Sequence, residues 1–451
     1  MLRGYARRKP LRLHMPGHKA EKGFCRVFPG AAEDITELSF SDSLQEPGGV
    51  LADAERRVSE LLGTKRSFFL TDGSTCGIYC MVYAEKKRGR KIAINRNAHQ
   101  SVYNACKVLG VEPVRIEQRR ENGGLLPPSA EEVARVLDAE PSADVLLTYP
   151  DYYGRTFDLA AVRKICDARG RALLIDGAHG GHLRYTDAKR YAGVSADLWV
   201  DGVHKTLPCL TQTAVLNVNA VAFLSLAEEA VKLFRTSSPS YPLMASVEYG
   251  ETFMAEKGVG LFPGLEERVR RLKGRLRESG YGILENNDAL KLCVDFAPTG
   301  ISPYAAEEFL QARGIYAEMN DGRIILFLLG VTTGKRQLRR LRRGLIALLR
   351  RSSLRGTYQA PPETKTGTGN IPYLEACAAE TEEVPLEQSA GRTLAENVGT
   401  FPPCCPLCVA GEKMTKEVVS VLKTARYVFG VNGGKVKAIK KGTRLWNEEN
   451  S

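Results

Sequence analysis

Leu173-Leu174-Ile175-Asp176-Gly177-Ala178-His179-Gly180-Gly181-His182 decides the fold class. An apolar run of strand length ends on a carboxylate, and small residues with two histidines follow. The continuous apolar character suits a strand buried on both faces, as in a parallel sheet covered by helices. Ligands of such sheets bind beyond the carboxyl ends of the strands. A carboxylate there can hold a protonated ring nitrogen through a charge-assisted hydrogen bond. Two other readings stay open: Asp176, His179 and His182 as metal ligands, and Asp176 as a plain helix cap.

The pattern repeats outward from this run. Strands are predicted at 67–70, 91–94, 145–148, 172–176, 197–200 and 213–218. Helices are predicted near 51–62, 76–87, 99–109 and 159–169. Short apolar strands alternating with helices predict an α/β fold with a mostly parallel sheet. Residues 1–50, rich in Gly, Pro and Asp, read as an extended N-terminal arm with turns. Residues 51–235 form the large domain. After the loop RTSSPSYP, residues 236–355 contain a small α+β domain, with strands near 289–296 and 324–329 and a helix near 303–313. Within it, Leu338, Leu341, Leu345 and Leu348 recur at helical spacing beneath an arginine-rich face. Residues 356–371 read as a linker and 372–451 as a C-terminal α+β module.

Bulk properties exclude several classes. With 64 Lys and Arg against 52 Asp and Glu, the net charge is +12. The basic residues lie on amphipathic helices and no nucleic-acid motif accompanies them, so no nucleic-acid partner is expected. No apolar run approaches the roughly 20 residues that span a bilayer, and the basic N-terminus lacks a signal-peptide core. The expected location is cytoplasmic, without a membrane partner. Eleven scattered cysteines read as reduced thiols. Cys405 and Cys408 in PPCCPLC have zinc-knuckle spacing, but no second Cys/His pair lies near and a tetrahedral site needs four ligands. No metal site is assigned.

Three further strand ends carry polar groups. Thr71-Asp72-Gly73-Ser74-Thr75-Cys76-Gly77 leads from a strand into a helix. Its small residues, hydroxyls and helix N-terminus suit a phosphate monoester, and an ordinary capped helix explains it equally well. Asn97-Ala98-His99-Gln100-Ser101 puts an imidazole at the opening of a helix, where it can stack on a planar ligand or serve structure. Asp201-Gly202-Val203-His204-Lys205-Thr206-Leu207-Pro208 ends a strand on a lysine, the residue that forms Schiff bases. A phosphate cup, a stacker, a strand-end Asp and then a Lys 29 residues after that Asp are what pyridoxal 5'-phosphate requires. The order along the chain is that of the large domain of fold-type-I (aspartate-aminotransferase-like) pyridoxal enzymes.

The sequence resembles the bacterial ornithine/lysine/arginine decarboxylase family in its short form, without an N-terminal wing domain. The resemblance rests on LHMPGHK at 13–19, DITELSFSDSLQEPGG at 34–49, TDGSTCG at 71–77, NAHQSV at 97–102, TYPDYYG at 148–154, DGAHGGH at 176–182, HKTLPCLTQ at 204–212 and GRTLAENVGTFPPCCPLCVAGE at 391–412. It implies decarboxylation of lysine, arginine or ornithine, as in polyamine biosynthesis. It further implies Lys205 as Schiff-base lysine, His204 as its neighbour and Asp176 on the pyridine nitrogen. His99 stacks on the ring, Gly73, Ser74 and Thr75 bind phosphate, and His179 lies near the substrate. Glu318 or Asp321 in the small domain, or Asp42 or Glu46 in the arm, are candidates for the substrate's distal cation. The family forms homodimers or higher homo-oligomers with shared active sites. Three positions depart from the pattern: Gly202 where serine is usual, Gly177 where an acid is usual, and Gln45 where histidine is usual. The rival readings are an aminotransferase, a carbon–sulfur lyase, or a divergent homologue of weak activity.

Overall fold

The computed structural model describes residues 1–121, 124–359, 369 and 371–443. Most of the linker predicted at 356–371, and the end of the chain from 444, lie outside the described residues. The chain forms two compact units. One comprises Met1–Arg88 and Ala172–Phe262, and the other Gly89–Arg171 and the chain from Pro263 onward.

In the first unit, Arg66–Leu70 pairs antiparallel with Ala214–Val218, which pairs antiparallel with Leu198–Asp201, which pairs parallel with Leu173–Gly177. Two reversals restore direction, so 66–70, 198–201 and 173–177 run the same way. Their carboxyl ends, and the loops that follow, share one edge. The three inner strands are buried along their whole length, as their largely apolar sequences suit. Helix Gly73–Lys87 lies close against this sheet: a β-carbon at Gly77 would stand 2.5 Å from Val200 Cγ2. Helix Val50–Leu62 buries Leu51, Ala54, Val58 and Leu62 at helical spacing and stops at Gly63, whose φ of 73° suits glycine. The same helix buries Glu55. Its carboxylate accepts from Phe69 N–H at 3.0 Å, and Arg66 (3.1 Å) and Arg235 (3.6 Å) balance its charge. Burial still pushes its pKa up. Arg235 also donates to Leu44 O at 2.6 Å, which ties the arm to this core.

The arm holds more regular structure than its composition suggests. Leu2–Arg7 and Lys22–Val27 are short α-helices and Pro29–Ala32 a 3-10 turn. These six-residue helices bury too little to show a hydrophobic period. The second is set instead by Glu21, which accepts from Phe24 N–H at 3.0 Å.

In the second unit, Lys91–Asn95 pairs parallel with both Pro113–Ile116 and Ala143–Thr148. Helices Gln100–Leu109, Ala130–Ala139 and Leu159–Ala168 connect or flank these strands, and Ser129 and Glu132 form a capping box. A four-stranded antiparallel sheet follows in the order Gly282–Ile283, Lys291–Asp295, Ile324–Leu328, Met319–Asn320. Helices Pro303–Gln311 and Lys335–Leu349 accompany it, the latter with Leu338, Leu341, Leu345 and Leu348 buried as their spacing predicts. The last part of the chain pairs Thr381–Pro385 with Lys435–Ile439, and Val398–Thr400 with Cys405–Cys408 and Val428–Phe429. Helix Lys416–Thr424 closes that core through Val418 and Leu422.

Candidate active site

Strand Leu173–Gly177 carries Asp176 at its carboxyl end, 3% exposed. Asp176 Oδ1 accepts from Ala178 N–H at 3.2 Å, which leaves acceptor capacity in a buried carboxylate. The turn beyond it is tight, with Gly180 N–H donating to Gly177 O at 2.7 Å, and it buries His179 and His182.

Strand Leu198–Asp201 leads into a single helical turn, Val203–Thr206. The turn ends where Leu207 becomes extended ahead of Pro208, as a residue before proline is biased to do. It presents Lys205, half-buried, with Nζ 3.1 Å from His179 Nε2. His204 is held by Nδ1, 2.7 Å from Thr213 O. The two turns press on each other at Gly202, where a β-carbon would lie 2.6 Å from Ala178 O. The serine usual at 202 therefore has no room here, which gives that departure a physical reason.

Gly73, with φ of 73°, opens helix Gly73–Lys87 at the same edge of the sheet, and its N–H donates to Gln212 O at 2.8 Å. The N-cap residue Asp72 makes no side-chain cap. Its carboxylate accepts from Thr236 N–H at 3.3 Å instead. The first-turn amides of this helix thus have no side-chain acceptor from their own cap, and half-buried Ser74 and exposed Thr75 stand beside them.

The arm candidates differ from one another. Asp42 accepts from the backbone N–H of Ser43 (2.9 Å), Gly48 (3.1 Å), Gly49 (2.7 Å) and Leu51 (3.1 Å). Partial burial raises its pKa, but those four donors outweigh that and hold it below the ordinary value. The carboxylate is committed to starting helix Val50–Leu62. Glu46 is exposed and pairs with Lys232 at 3.2 Å. Gln45 donates to Thr236 O at 3.1 Å.

His99 and Glu318 belong to the second unit. His99 is the N-cap of helix Gln100–Leu109. Its Nδ1 accepts from Ser101 N–H at 3.1 Å, so the proton of the neutral ring sits on Nε2. Glu318 is exposed and accepts from Tyr152 OH at 3.1 Å. Asp321 is half-buried and taken by Tyr153 OH at 2.6 Å and by two backbone amides.

These residues fit pyridoxal phosphate. The first unit supplies an amine for a carbonyl carbon, a buried carboxylate for a ring N–H, and an uncapped helix start with hydroxyls for a phosphate, all at one sheet edge. Residues 1–291 match the family profile for the major domain of Orn/Lys/Arg decarboxylases, and residues 355–430 match that of the C-terminal domain. The chain belongs to the Orn/Lys/Arg decarboxylase family. It is similar to a Bacillus subtilis (strain 168) protein described as uncharacterized protein YaaO, at 30% identity over 94% of this chain and 92% of that one. It is also similar to an arginine decarboxylase of Halalkalibacterium halodurans, at 29% identity over 93% of this chain and 91% of the other. Its fold matches the solved constitutive lysine decarboxylase of E. coli with a TM-score of 0.80 at 20% identity, covering 97% of this chain and 81% of that one. It is accordingly an enzyme of the pyridoxal-phosphate decarboxylases, with the fold-type-I α/β architecture.

Two buried acids beneath the lysine turn are not distinguishable in the sequence. Asp201 Oδ2 accepts from Tyr191 OH (2.8 Å), Trp199 Nε1 (3.0 Å) and Asn217 Nδ2 (2.9 Å). Its Oδ1 lies 2.9 Å from where a β-carbon of residue 177 would be, so Asp201 fills the space that Gly177 vacates. Glu251 accepts from Tyr185 OH at 2.6 Å. Burial pushes Asp201 up to about 7 and Glu251 up to about 8, against the pull of these hydrogen bonds.

Two outcomes are expected. Gly202→Ser should cost about 1–3 kcal/mol of stability in urea unfolding, because its β-carbon meets a backbone carbonyl, and should not tighten cofactor binding. The second concerns pH. The folded protein holds two protons that the unfolded chain releases near the ordinary values of 3.8 and 4.5, so stability falls as pH rises from there to about 7 and about 8 and is level above. Glu251→Gln keeps an acceptor for Tyr185 and should flatten that fall, which urea midpoints measured from pH 5 to pH 9 would reveal.

Proposed function

We propose that this enzyme decarboxylates a basic L-amino acid (lysine, arginine or ornithine) to the corresponding amine, with pyridoxal 5'-phosphate bound through Lys205. The observation that carries this is the Lys205 Nζ to His179 Nε2 approach of 3.1 Å, at the strand edge that bears buried Asp176. Bound there, the cofactor supplies the electron sink for the charge left when carbon dioxide departs. Lys205 holds it covalently and receives or returns a proton at Nζ. His179, within hydrogen-bond reach of Nζ, is the partner for that proton. His204, fixed by Thr213 O, braces the turn that aims the lysine. Asp176 keeps the ring N–H, and its burial strengthens that bond. Gly73, Ser74 and Thr75 take the phosphate, and His99 is assigned to the ring face.

For the substrate's distal cation, Glu318 is the candidate we favour. Its carboxylate is exposed and oriented by Tyr152, whereas that of Asp42 is saturated by backbone amides and that of Asp321 is taken by Tyr153 OH and two backbone amides. Glu46 is open but already faces Lys232. None of the eleven cysteines is in a disulfide, which suits a reducing, cytoplasmic compartment. Among the described residues no helix is long and apolar enough to cross a membrane.

We further propose a homodimer or higher homo-oligomer. The arm exposes Leu11 (85%), Leu13 (84%), Met15 (63%), Val27 (69%) and Phe28 (55%), large apolar side chains that a partner subunit would cover. Sedimentation equilibrium should find an oligomer, and Leu11→Asp with Leu13→Asp should weaken it by about tenfold or more.

Carbon dioxide release from L-lysine, L-arginine and L-ornithine, assayed in parallel, tests the activity and selects the substrate. Lys205→Ala should lose the visible absorbance of the bound cofactor and about a thousandfold or more of the rate. A visible band that survives in Lys205→Ala would move the assignment to another lysine. Wild-type protein that takes up no cofactor would end the decarboxylase reading.

A further inference from the structure

His99 is flanked on both sides by contacts from the C-terminal part of the chain. Three residues before it, Arg96 is 4% exposed and meets Glu412, 2% exposed, in a two-pronged pair; Arg96 Nη2 to Glu412 Oε2 is 2.6 Å. Arg115 approaches the same carboxylate at 3.4 Å, and Val409 N–H donates to it at 3.0 Å. Such a pair is costly to break because either partner left alone is a buried charge. One residue after His99, Gln100 N–H donates to Cys404 O at 2.9 Å, and Gln100 Oε1 accepts from Asn397 Nδ2 at 3.0 Å. Asn397 is in turn held by Ala410 N–H at 2.9 Å.

The cysteine-rich loop PPCCPLC thereby gains a use that needs no metal. Cys404 sits at φ of 58° and turns its carbonyl toward the first amide of helix Gln100–Leu109. That amide is one of the donors a helix start cannot satisfy internally.

We infer that the C-terminal module is the positioning element for His99, with Glu412 fixing the approach through Arg96 and Asn397 and Cys404 fixing the helix start through Gln100. These are positioning residues, since they act only through the backbone that carries the histidine. The inference rests on the assignment of His99 to the cofactor ring, and it gives the C-terminal module a part in holding that ring.

The test uses the full chain with two readouts. The first is hydrogen exchange at amides 100 and 101 in cofactor-free protein. The second is the dissociation constant of pyridoxal phosphate from its visible absorbance. Gln100→Ala should speed exchange and weaken cofactor binding each by about tenfold, the effect of about one lost hydrogen bond. Gln100→Glu keeps an acceptor for Asn397, loses only the donor to exposed Asn104, and should restore most of both. Glu412→Gln should act in the same direction and more strongly. Lys435→Ala, on an exposed pair with Glu383 in the same module, should change neither. Exchange unchanged in Gln100→Ala overturns the inference. So does faster exchange with unaltered cofactor affinity, or an equal effect from Lys435→Ala. Failure of wild-type protein to bind the cofactor defeats the underlying assignment instead, and is recognised because it appears before any substitution.

Discussion

The closest constraint in the site is the contact between two strand-end turns. The turn after Asp176 and the turn before Lys205 approach until a β-carbon at Gly202 would stand 2.6 Å from Ala178 O. That approach brings His179 within 3.1 Å of the lysine amine. It follows from the parallel register that sets Asp176 beside Val200 and Gly177 beside Asp201. Because register in a sheet is all-or-none, the alternation that points Asp176 to one face necessarily points Asp201 to the other. One face of the same two strands therefore carries Asp176, and the opposite face a buried acid that binds Tyr191, Trp199 and Asn217.

Much of this was legible in the sequence, for identifiable reasons. The run 173–175 is apolar at every position and ends on Asp176, so its burial and its polar end are visible without any partner. The leucines of Lys335–Leu349 announced their own helix, and Pro208 announced that the lysine turn would be short. What stayed hidden depends on pairing across long separations. Glu412 reads as one more acid near Lys413 until Arg96, 316 positions away, is seen against it. Asp42 reads as a free carboxylate in a polar arm until the chain folds back and aims four amides at it. Neither has a period, because a single ion pair or cap repeats nothing.

The departures from the family pattern take a different meaning once their neighbours are known. Read singly, Gly177 and Gly202 look like lost function. In the structure, the absent side chain at 177 leaves the space that Asp201 Oδ1 occupies, and the absent side chain at 202 lets Ala178 close on the lysine turn. Both glycines lie where two segments of the chain meet, so their smallness is a packing requirement of the neighbouring segment rather than a free loss.

The same logic separates groups that can do chemistry from groups that hold shape. A half-buried carboxylate whose lone pairs are filled by backbone amides, as at Asp42, has nothing left to offer a ligand. One that spends a single acceptor on its own turn, as at Asp176, keeps capacity for a ring proton. Hydrogen-bond saturation, more than burial or charge, is therefore the property that sorts the acids of this chain. By that measure Asp176 and Glu318 remain available, and Asp42, Asp321 and Glu412 belong to the frame that keeps them in place.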